Sequence, residues 1–217
     1  MSFFSDISAI QNIVYIFSSI LFISGIKMLG KEDTAVRGNF LSASAMFIAV
    51  AVTIINVVNP VIVLIGVSIG AVIGSLIALR VKMTSIPEMV ALFNGFGGLA
   101  TFFIAWSEFN AIPDNVFQYI VIMLTTYIGG VTFSGSIIAY GKLSEKLKVK
   151  KDSFVTKIFT TFFYASILFL VYSIGFTEII ELPINFFTVL LILTLLGGIG
   201  FVIPIGGGDM PVVISLL

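Results

Sequence analysis

Long, uninterrupted apolar runs are the feature that most constrains the fold of this sequence. Each run holds about 20 residues, and a helix that rises about 1.5 Å per residue then spans the roughly 30 Å hydrocarbon core of a membrane. A transmembrane β-barrel would instead show shorter segments in which apolar and polar residues alternate. The composition agrees with helices in lipid, because 59% of the 217 residues are apolar and only 10% are charged. The sequence therefore predicts an all-α fold, a polytopic transmembrane helical bundle.

Short turns with proline, glycine or charged residues separate the apolar runs. We predict seven complete helices, over residues 7–29, 39–57, 61–81, 85–106, 116–147, 152–176 and 183–203. An eighth helix is predicted to start at Asp209-Met210-Pro211, but the sequence ends at Leu217, too soon for a membrane crossing. We therefore expect residues 1–217 to be one incomplete transmembrane domain, as in a fragment, a truncated chain or one product of a split gene.

The basic residues lie in or next to every second turn between the predicted helices. All eleven lysines and arginines fall at one predicted membrane face, whereas the other face carries acidic residues such as Glu108 and Asp114. Because basic loops stay in the cytoplasm, we expect the N-terminus to lie outside. The basic 142–157 loop is interpreted as a topological anchor rather than a binding site. The net charge of zero argues against a nucleic-acid partner.

Two of the predicted helices have faces built from small and polar residues. These residues are Pro87, Ala91, Asn94, Gly98, Thr101 and Ala105 in the fourth helix, and Thr125, Gly129, Thr132, Ser136 and Tyr140 in the fifth. Small and polar side chains turn towards neighbouring helices rather than lipid, so the two faces could meet around a narrow polar path. The alternative is that Asn94 and Ser136 only join the helices by hydrogen bonds.

Two glycine patterns are interpreted as helix packing. Residues 95–100 (GFGGLA) match the G-x-G-x-x-A dinucleotide pattern, but that fingerprint needs a preceding strand in a soluble βαβ unit. Gly66, Gly70 and Gly74 are spaced for close contact with another helix. The sequence has no histidine and no cysteine, and we expect no metal, no catalytic residue and no bound cofactor in this chain.

Three motifs give the sequence a family resemblance. Residues 83–100 (MTSIPEMVALFNGFGGLA), 131–143 (VTFSGSIIAYGKL) and 206–217 (GGGDMPVVISLL) resemble segments of the beta subunit of proton-translocating NAD(P) transhydrogenase. The motifs follow the family's order and spacing, so the resemblance covers essentially the whole chain. The last motif is similar to the family's G-G-A-D-M-P-V-V-I-S-x-L, with Gly208 in place of the alanine.

This resemblance implies a membrane component that conducts protons, coupled to hydride transfer between NADH and NADP+ in soluble domains. Asn94 matches a position that is often a histidine of the proton path, and Ser136 matches a serine that faces the same path. Asparagine does not titrate near neutral pH, so Asn94 could order water, while the protonatable group would come from a partner subunit. Asp209 matches an aspartate at the cytoplasmic mouth. A compatible structural alternative for Asp209 is the N-cap of the eighth helix.

The resemblance also implies a place in the bacterial inner membrane and partners outside this chain. They are the alpha subunits, the remaining part of the beta subunit and the soluble domains that hold NADP and NAD, in a dimeric complex with the specificity of the Si/Re transhydrogenases. Without the resemblance, polar helix faces would equally suit a non-enzymatic secondary transporter or channel subunit, or a purely structural membrane scaffold.

Overall fold

The fold is that of a computed structural model, which describes residues 2–55, 57, 59–111, 115–149, 153–175 and 184–217. Side chains are described from residue 9 onwards and, in the last range, from residue 186 onwards. These described residues form eight α-helices and no strand, which confirms the predicted all-α class. The helices are α1 (Ser2–Leu29), α2 (Ala35–Ile55), α3 (Pro60–Arg80), α4 (Ile86–Asn110), α5 (Val116–Leu143), α6 (Phe154–Gly175), α7 (Ile184–Val202) and α8 (Met210–Leu216). Short 3₁₀ turns, Met83–Ser85 and Gly207–Asp209, precede α4 and α8.

Six of the described helices, α1 to α6, are each long and apolar enough to cross a membrane. The last two, α7 and α8, are bent by 109° relative to each other and make a seventh candidate span if they are taken together. These lengths agree with the predicted multi-pass bundle. The predicted helix ends at residues 152, 176 and 183 lie outside the described residues.

Four helix ends differ from the predicted ones by four residues or more. Helix α1 begins at Ser2 rather than at residue 7, and α2 begins at Ala35 rather than at residue 39. Helix α4 continues one turn past Trp106, because no glycine or proline interrupts it before Asn110, whose Nδ2 donates to the Trp106 carbonyl oxygen at 2.7 Å. Helix α5 ends at Leu143 rather than at residue 147. The reason is that Glu145 has a φ of 54°, a left-handed conformation through which a right-handed helix cannot continue.

The chain divides into two compact units, Met1–Arg80 and Val81–Leu217. In the first unit, α1 and α2 form an antiparallel pair whose backbones approach closely at Gly25 and Gly38. A Cβ atom at Gly38 would lie 2.7 Å from the carbonyl oxygen of Gly25, so this approach requires glycine. Farther along the pair, the Tyr15 hydroxyl and Thr53 Oγ1 share a hydrogen bond of 3.0 Å.

Helix α3 does not show the close packing that its glycines predicted. A Cβ atom added at Gly66, Gly70 or Gly74 would meet no atom within 4 Å, and no residue of α3 is buried. The described residues of the first unit therefore place no helix against these glycines, and their packing against another helix stays a prediction. Small residues permit a close helix contact, but they do not create one without a complementary face on a neighbour.

Helix α5 is central to the second unit, where it packs against α4 and α7, while α6 packs against α7. One hydrophobic cluster joins α8 to the ends of α4, α5 and α7, and it contains Ala91, Ala139, Val202, Met210, Val213 and Ile214. A second cluster, farther along α5, contains Ile122, Met123, Leu170, Phe187 and Leu190. Between these two clusters, α4 and α5 meet through the small residues that form the candidate site.

Candidate functional site

The contact between α4 and α5 is close enough to bring two backbones together. A Cβ atom at Gly98 of α4 would lie 2.7 Å from the backbone nitrogen of Phe133, and one at Gly129 of α5 would lie 2.7 Å from that of Phe102. Side chains at either position would push the helices apart. The predicted meeting of the two small faces therefore holds at Gly98 and Gly129, and we call this contact the α4–α5 seam.

Asn94 and Ser136 meet across this seam, as their helix positions predicted. Asn94 Nδ2 donates a hydrogen bond to Ser136 Oγ at 3.0 Å. Ser136 is fully buried, whereas Asn94 is half-buried. Next to this pair, a Cβ atom at Gly95 would lie 3.2 Å from the Ser136 Cβ, so the glycine lets the two polar side chains reach each other. Neither an amide nor a hydroxyl side chain titrates near neutral pH, so the pair can order water but cannot store a proton.

A cleft of about 340 Å³, lined by polar side chains and by the apolar Phe93, Ile128 and Leu217, opens beside the Asn94–Ser136 hydrogen bond. Its lining includes Asn94, Thr101 and Thr132, together with backbone at Gly97 and Gly98. Thr101 Oγ1 donates to the Gly97 carbonyl at 3.0 Å, and Thr132 Oγ1 donates to the carbonyl oxygen of Leu217 at 2.6 Å. Each hydroxyl therefore donates its one proton to a carbonyl oxygen, and its own oxygen can still accept hydrogen bonds.

The rest of the two predicted faces lies elsewhere. Ala91 and Ala105 are buried residues of α4, but neither lines the cleft. Thr125 Oγ1 donates to the Val121 carbonyl of its own helix at 2.7 Å. The ring of Tyr140 lies under the Lys146 ammonium, 5.6 Å from its centroid. Of the residues on the two predicted faces, those that line the cleft are thus confined to the middle of the seam.

The dinucleotide-like run at residues 95–100 lies inside α4, as expected. Gly95 and Gly98 face α5, whereas a Cβ atom at Gly97 would meet nothing within 4 Å. No strand precedes the run among the described residues, so it has no βαβ context. Within the same residues, no group of three or more histidine, cysteine, aspartate and glutamate side chains could hold a metal ion.

Asp209 is exposed and ends the 3₁₀ turn Gly207–Asp209, directly before α8. It occupies the N-cap position of α8, as predicted, but its side chain makes no capping hydrogen bond to this helix. The geometry explains this, because Asp209 already has a helical φ of −91° and ψ of −2°, whereas a capping side chain needs extended backbone. The carboxylate is exposed at the surface of the turn.

Lys142 is a polar residue whose role the sequence reasoning missed. Its Nζ donates to the carbonyl oxygens of Val202, Ile203 and Ile205 at 3.1, 2.5 and 2.6 Å, at the break between α7 and α8. The residue had been interpreted as part of a solvated basic loop. One signal could have drawn attention to it: Pro204 ends α7 and leaves carbonyls there in need of a donor. Pro204 predicts that these carbonyls need a hydrogen-bond donor, but it does not predict which residue supplies one.

The fold and the seam together define a class of protein, a multi-pass helical membrane protein with a polar contact between two spans. A family model for the NAD(P) transhydrogenase beta subunit matches residues 11–217. The chain belongs to this family. Two relatives from Rhodospirillum rubrum, each named NAD(P) transhydrogenase subunit beta, are 31% identical to it over 236 residues. The match covers 94% of this chain and 46% of each relative, so the chain spans about half the length of the curated relatives it matches.

Proposed function

We propose that this chain is the proton-conducting membrane component of a proton-translocating NAD(P) transhydrogenase. In this proposal, protons cross the membrane beside α4 and α5 while hydride passes between NADH and NADP+ in soluble domains outside this chain, with Si/Re specificity. The observation that carries the proposal is the Asn94–Ser136 hydrogen bond at the edge of the cleft. Family membership supplies the reaction to which such a cleft would contribute.

The chemistry of the seam defines what this chain contributes. Asn94 and Ser136 offer donors and acceptors that align water molecules, but neither side chain gains or loses a proton at neutral pH. A group that does titrate is then supplied by a partner subunit or by the remaining part of the beta subunit. Asp209 couples the membrane part to the NADP-binding domain, and its exposed carboxylate supports this role.

The setting of the complex follows from the same reasoning. Basic residues lie at or after the ends of α1, α3 and α5, such as Lys27, Arg80 and Lys142, and this alternation supports a cytoplasmic side for those turns. The N-terminus then lies outside the bacterial inner membrane. The partners are transhydrogenase alpha subunits and the rest of the beta subunit, in a dimeric complex. This chain itself binds neither NADP nor NAD.

The test is the Asn94→Leu substitution in the assembled complex. Leucine keeps α4 apolar and helical but cannot order water, so we expect loss of proton pumping and slowing of the coupled hydride reaction. Asn110→Leu is the matched control, because Asn110 lies in the same helix and its side chain donates to its own helix at the Trp106 carbonyl oxygen.

The competing interpretation, that Asn94 only joins the helices, predicts a different result. Loss of an interhelical hydrogen bond costs of order 0.6–2 kcal/mol of helix association, which would lower the yield of complex and leave turnover per complex near normal. Assembly and pumping should therefore be measured in one membrane preparation. Normal pumping by assembled Asn94→Leu would remove Asn94 from the proton path.

A further inference from the structure

The Lys142 ammonium group lies in a ring of backbone carbonyls. All three of its N–H donors have an acceptor, on Val202, Ile203 and Ile205, and all three acceptors belong to the segment where α7 stops. An ammonium group has three donors and no acceptor, so this arrangement uses its full hydrogen-bonding capacity. A lysine that only marked the cytoplasmic side of the membrane would point to water and would need no such partners.

Two of these carbonyls, those of Ile203 and Ile205, accept no backbone N–H among the described residues, whereas the Val202 carbonyl also accepts from Ile205 N–H at 3.1 Å. Pro204 has no N–H, so α7 cannot extend its hydrogen-bond ladder, and the following glycines favour a turn. Val202 is fully buried and Ile203 nearly so, which restricts the access of water to this end of the helix. A cation also suits the negative end of the helix dipole. Lys142 supplies both the charge and the donors from the last turn of α5.

The segment that Lys142 holds leads directly to Asp209. The 109° bend between α7 and α8 occurs here, and the Gly207–Asp209 turn follows it. The same turn lies near the end of α5, since a Cβ atom at Gly207 would be 3.8 Å from the carbonyl oxygen of Lys142. Directly after the turn, Met210 is fully buried against α4 and α5. The exposed carboxylate therefore stands between two anchored points, the lysine and the buried methionine.

We propose that Lys142 is a positioning residue whose ammonium group acts as a built-in cation, fixing the bend between α7 and α8 and thereby the place of Asp209. The link to Asp209 rests on the proposed function, whereas the fixing of the bend does not. Lys142 contacts no substrate and moves no proton in this proposal. It keeps a broken helix in one geometry, so that the exposed aspartate meets its partner from a defined direction.

Amide hydrogen exchange of the assembled complex in membranes tests the fixing of the bend. In the parent protein, Ile205 N–H donates to the Val202 carbonyl at 3.1 Å and Asp209 N–H to the Gly206 carbonyl at 3.2 Å. In Lys142→Ala, we expect the peptide that contains these amides to exchange about tenfold faster or more, because the charge-assisted hydrogen bonds that close the segment are lost. The exposed Lys148 of the same loop gives the matched control, Lys148→Ala, which should exchange like the parent.

Chemical rescue separates a cation site from a general loss of packing. Propylammonium replaces the atoms that Lys142→Ala removes, so added propylammonium should return the exchange of this peptide towards the parent rate. Tetramethylammonium carries the same charge but no N–H donor, and it should not restore protection. Equal exchange in Lys142→Ala and the parent, or equal effects of the two cations, would overturn the proposal.

Two further measurements complete the test of the proposal. If Lys142→Ala does not accumulate, reductive methylation of the parent protein answers the question: Lys148 should react about tenfold faster or more than Lys142, whose amine is engaged, and equal reactivity would overturn the proposal. Proton pumping by Lys142→Ala tests the link to Asp209 separately. Faster exchange with normal pumping would overturn that link, whereas normal pumping by Asn94→Leu would count against the proposed function alone.

Discussion

Gly97 and Gly98 offer a matched pair of substitutions for testing the α4–α5 seam. Both are glycines of the same helix turn, and both become alanine with the same change in volume and in helix propensity. They differ in what the new Cβ atom meets: nothing within 4 Å at Gly97, but the backbone nitrogen of Phe133 at 2.7 Å and Thr132 Cγ2 at 2.8 Å at Gly98. The comparison therefore isolates the close approach of the two helices.

The size of the effect follows from these contacts. Replacing glycine by alanine in a helix stabilises it by up to about 1 kcal/mol, and this gain is common to both variants. Overpacking a well-packed contact typically costs about 1–3 kcal/mol, and the backbone atom at Phe133 cannot move aside as a flexible side chain can. We expect the free energy of unfolding of Gly98→Ala to lie about 1–3 kcal/mol below that of Gly97→Ala, which is roughly 5- to 150-fold in the folding equilibrium.

The single tryptophan of the chain provides the assay. Trp106 lies in α4, and its ring contacts that of Phe187 in α7 edge-on, with centroids 5.8 Å apart. Its fluorescence in a reversible mixed-micelle titration therefore reports on the packing of α4 in the second unit. If Gly98→Ala unfolds at the same denaturant fraction as Gly97→Ala, the two helices are not in backbone contact and the geometry of the candidate site is wrong.

Two more predictions concern the membrane topology and nucleotide binding by the isolated chain. Single cysteines at Asn110 and Lys148, which are both exposed in a chain without cysteine, should react with an impermeant reagent from opposite sides of the membrane. Reaction of both from one side would contradict the alternation of basic turns. The isolated chain should show no NADPH binding by calorimetry, because its dinucleotide-like run lies inside helix α4 and no strand precedes it among the described residues. Heat of specific binding would mean that a nucleotide site exists in this chain.

The seam was predictable because helical periodicity and residue size are both visible in the sequence. The spacing of Asn94 and Gly98 places them on one face of a helix, and a continuous apolar background leaves that face as the only one suited to a polar neighbour. The same reasoning correctly paired it with the face of Ser136 and Gly129. What periodicity could not predict was how far the polar path extends, because Thr101 and Thr125 can bond to their own helix as well as to a neighbour.

Other features depend on partners that a sequence does not reveal. The glycines of α3 have the spacing of a packing face, yet no described helix of the first unit lies against them, because packing requires a complementary helix at the right place. Asp209 has the residue type and position of an N-cap, but the turn before α8 gives it helical dihedral angles that prevent capping. Lys142 is of a residue type that is typical of a topological anchor at the membrane surface. Its actual role depends on carbonyls about 60 residues later in the chain, a contact set by tertiary structure alone.

The burial of the Asn94–Ser136 pair favours a role in conduction over one in adhesion. A hydrogen bond that serves only to join two membrane helices is strongest when both partners are enclosed, because lipid offers no competing donors or acceptors. Here only Ser136 is enclosed, while Asn94 borders the cleft with Thr101 and Thr132. The amide has two donors and a carbonyl oxygen, and its bond to Ser136 uses one donor. The remaining groups are costly in an apolar setting unless water or a partner satisfies them, and a chain of water molecules in the cleft would satisfy them.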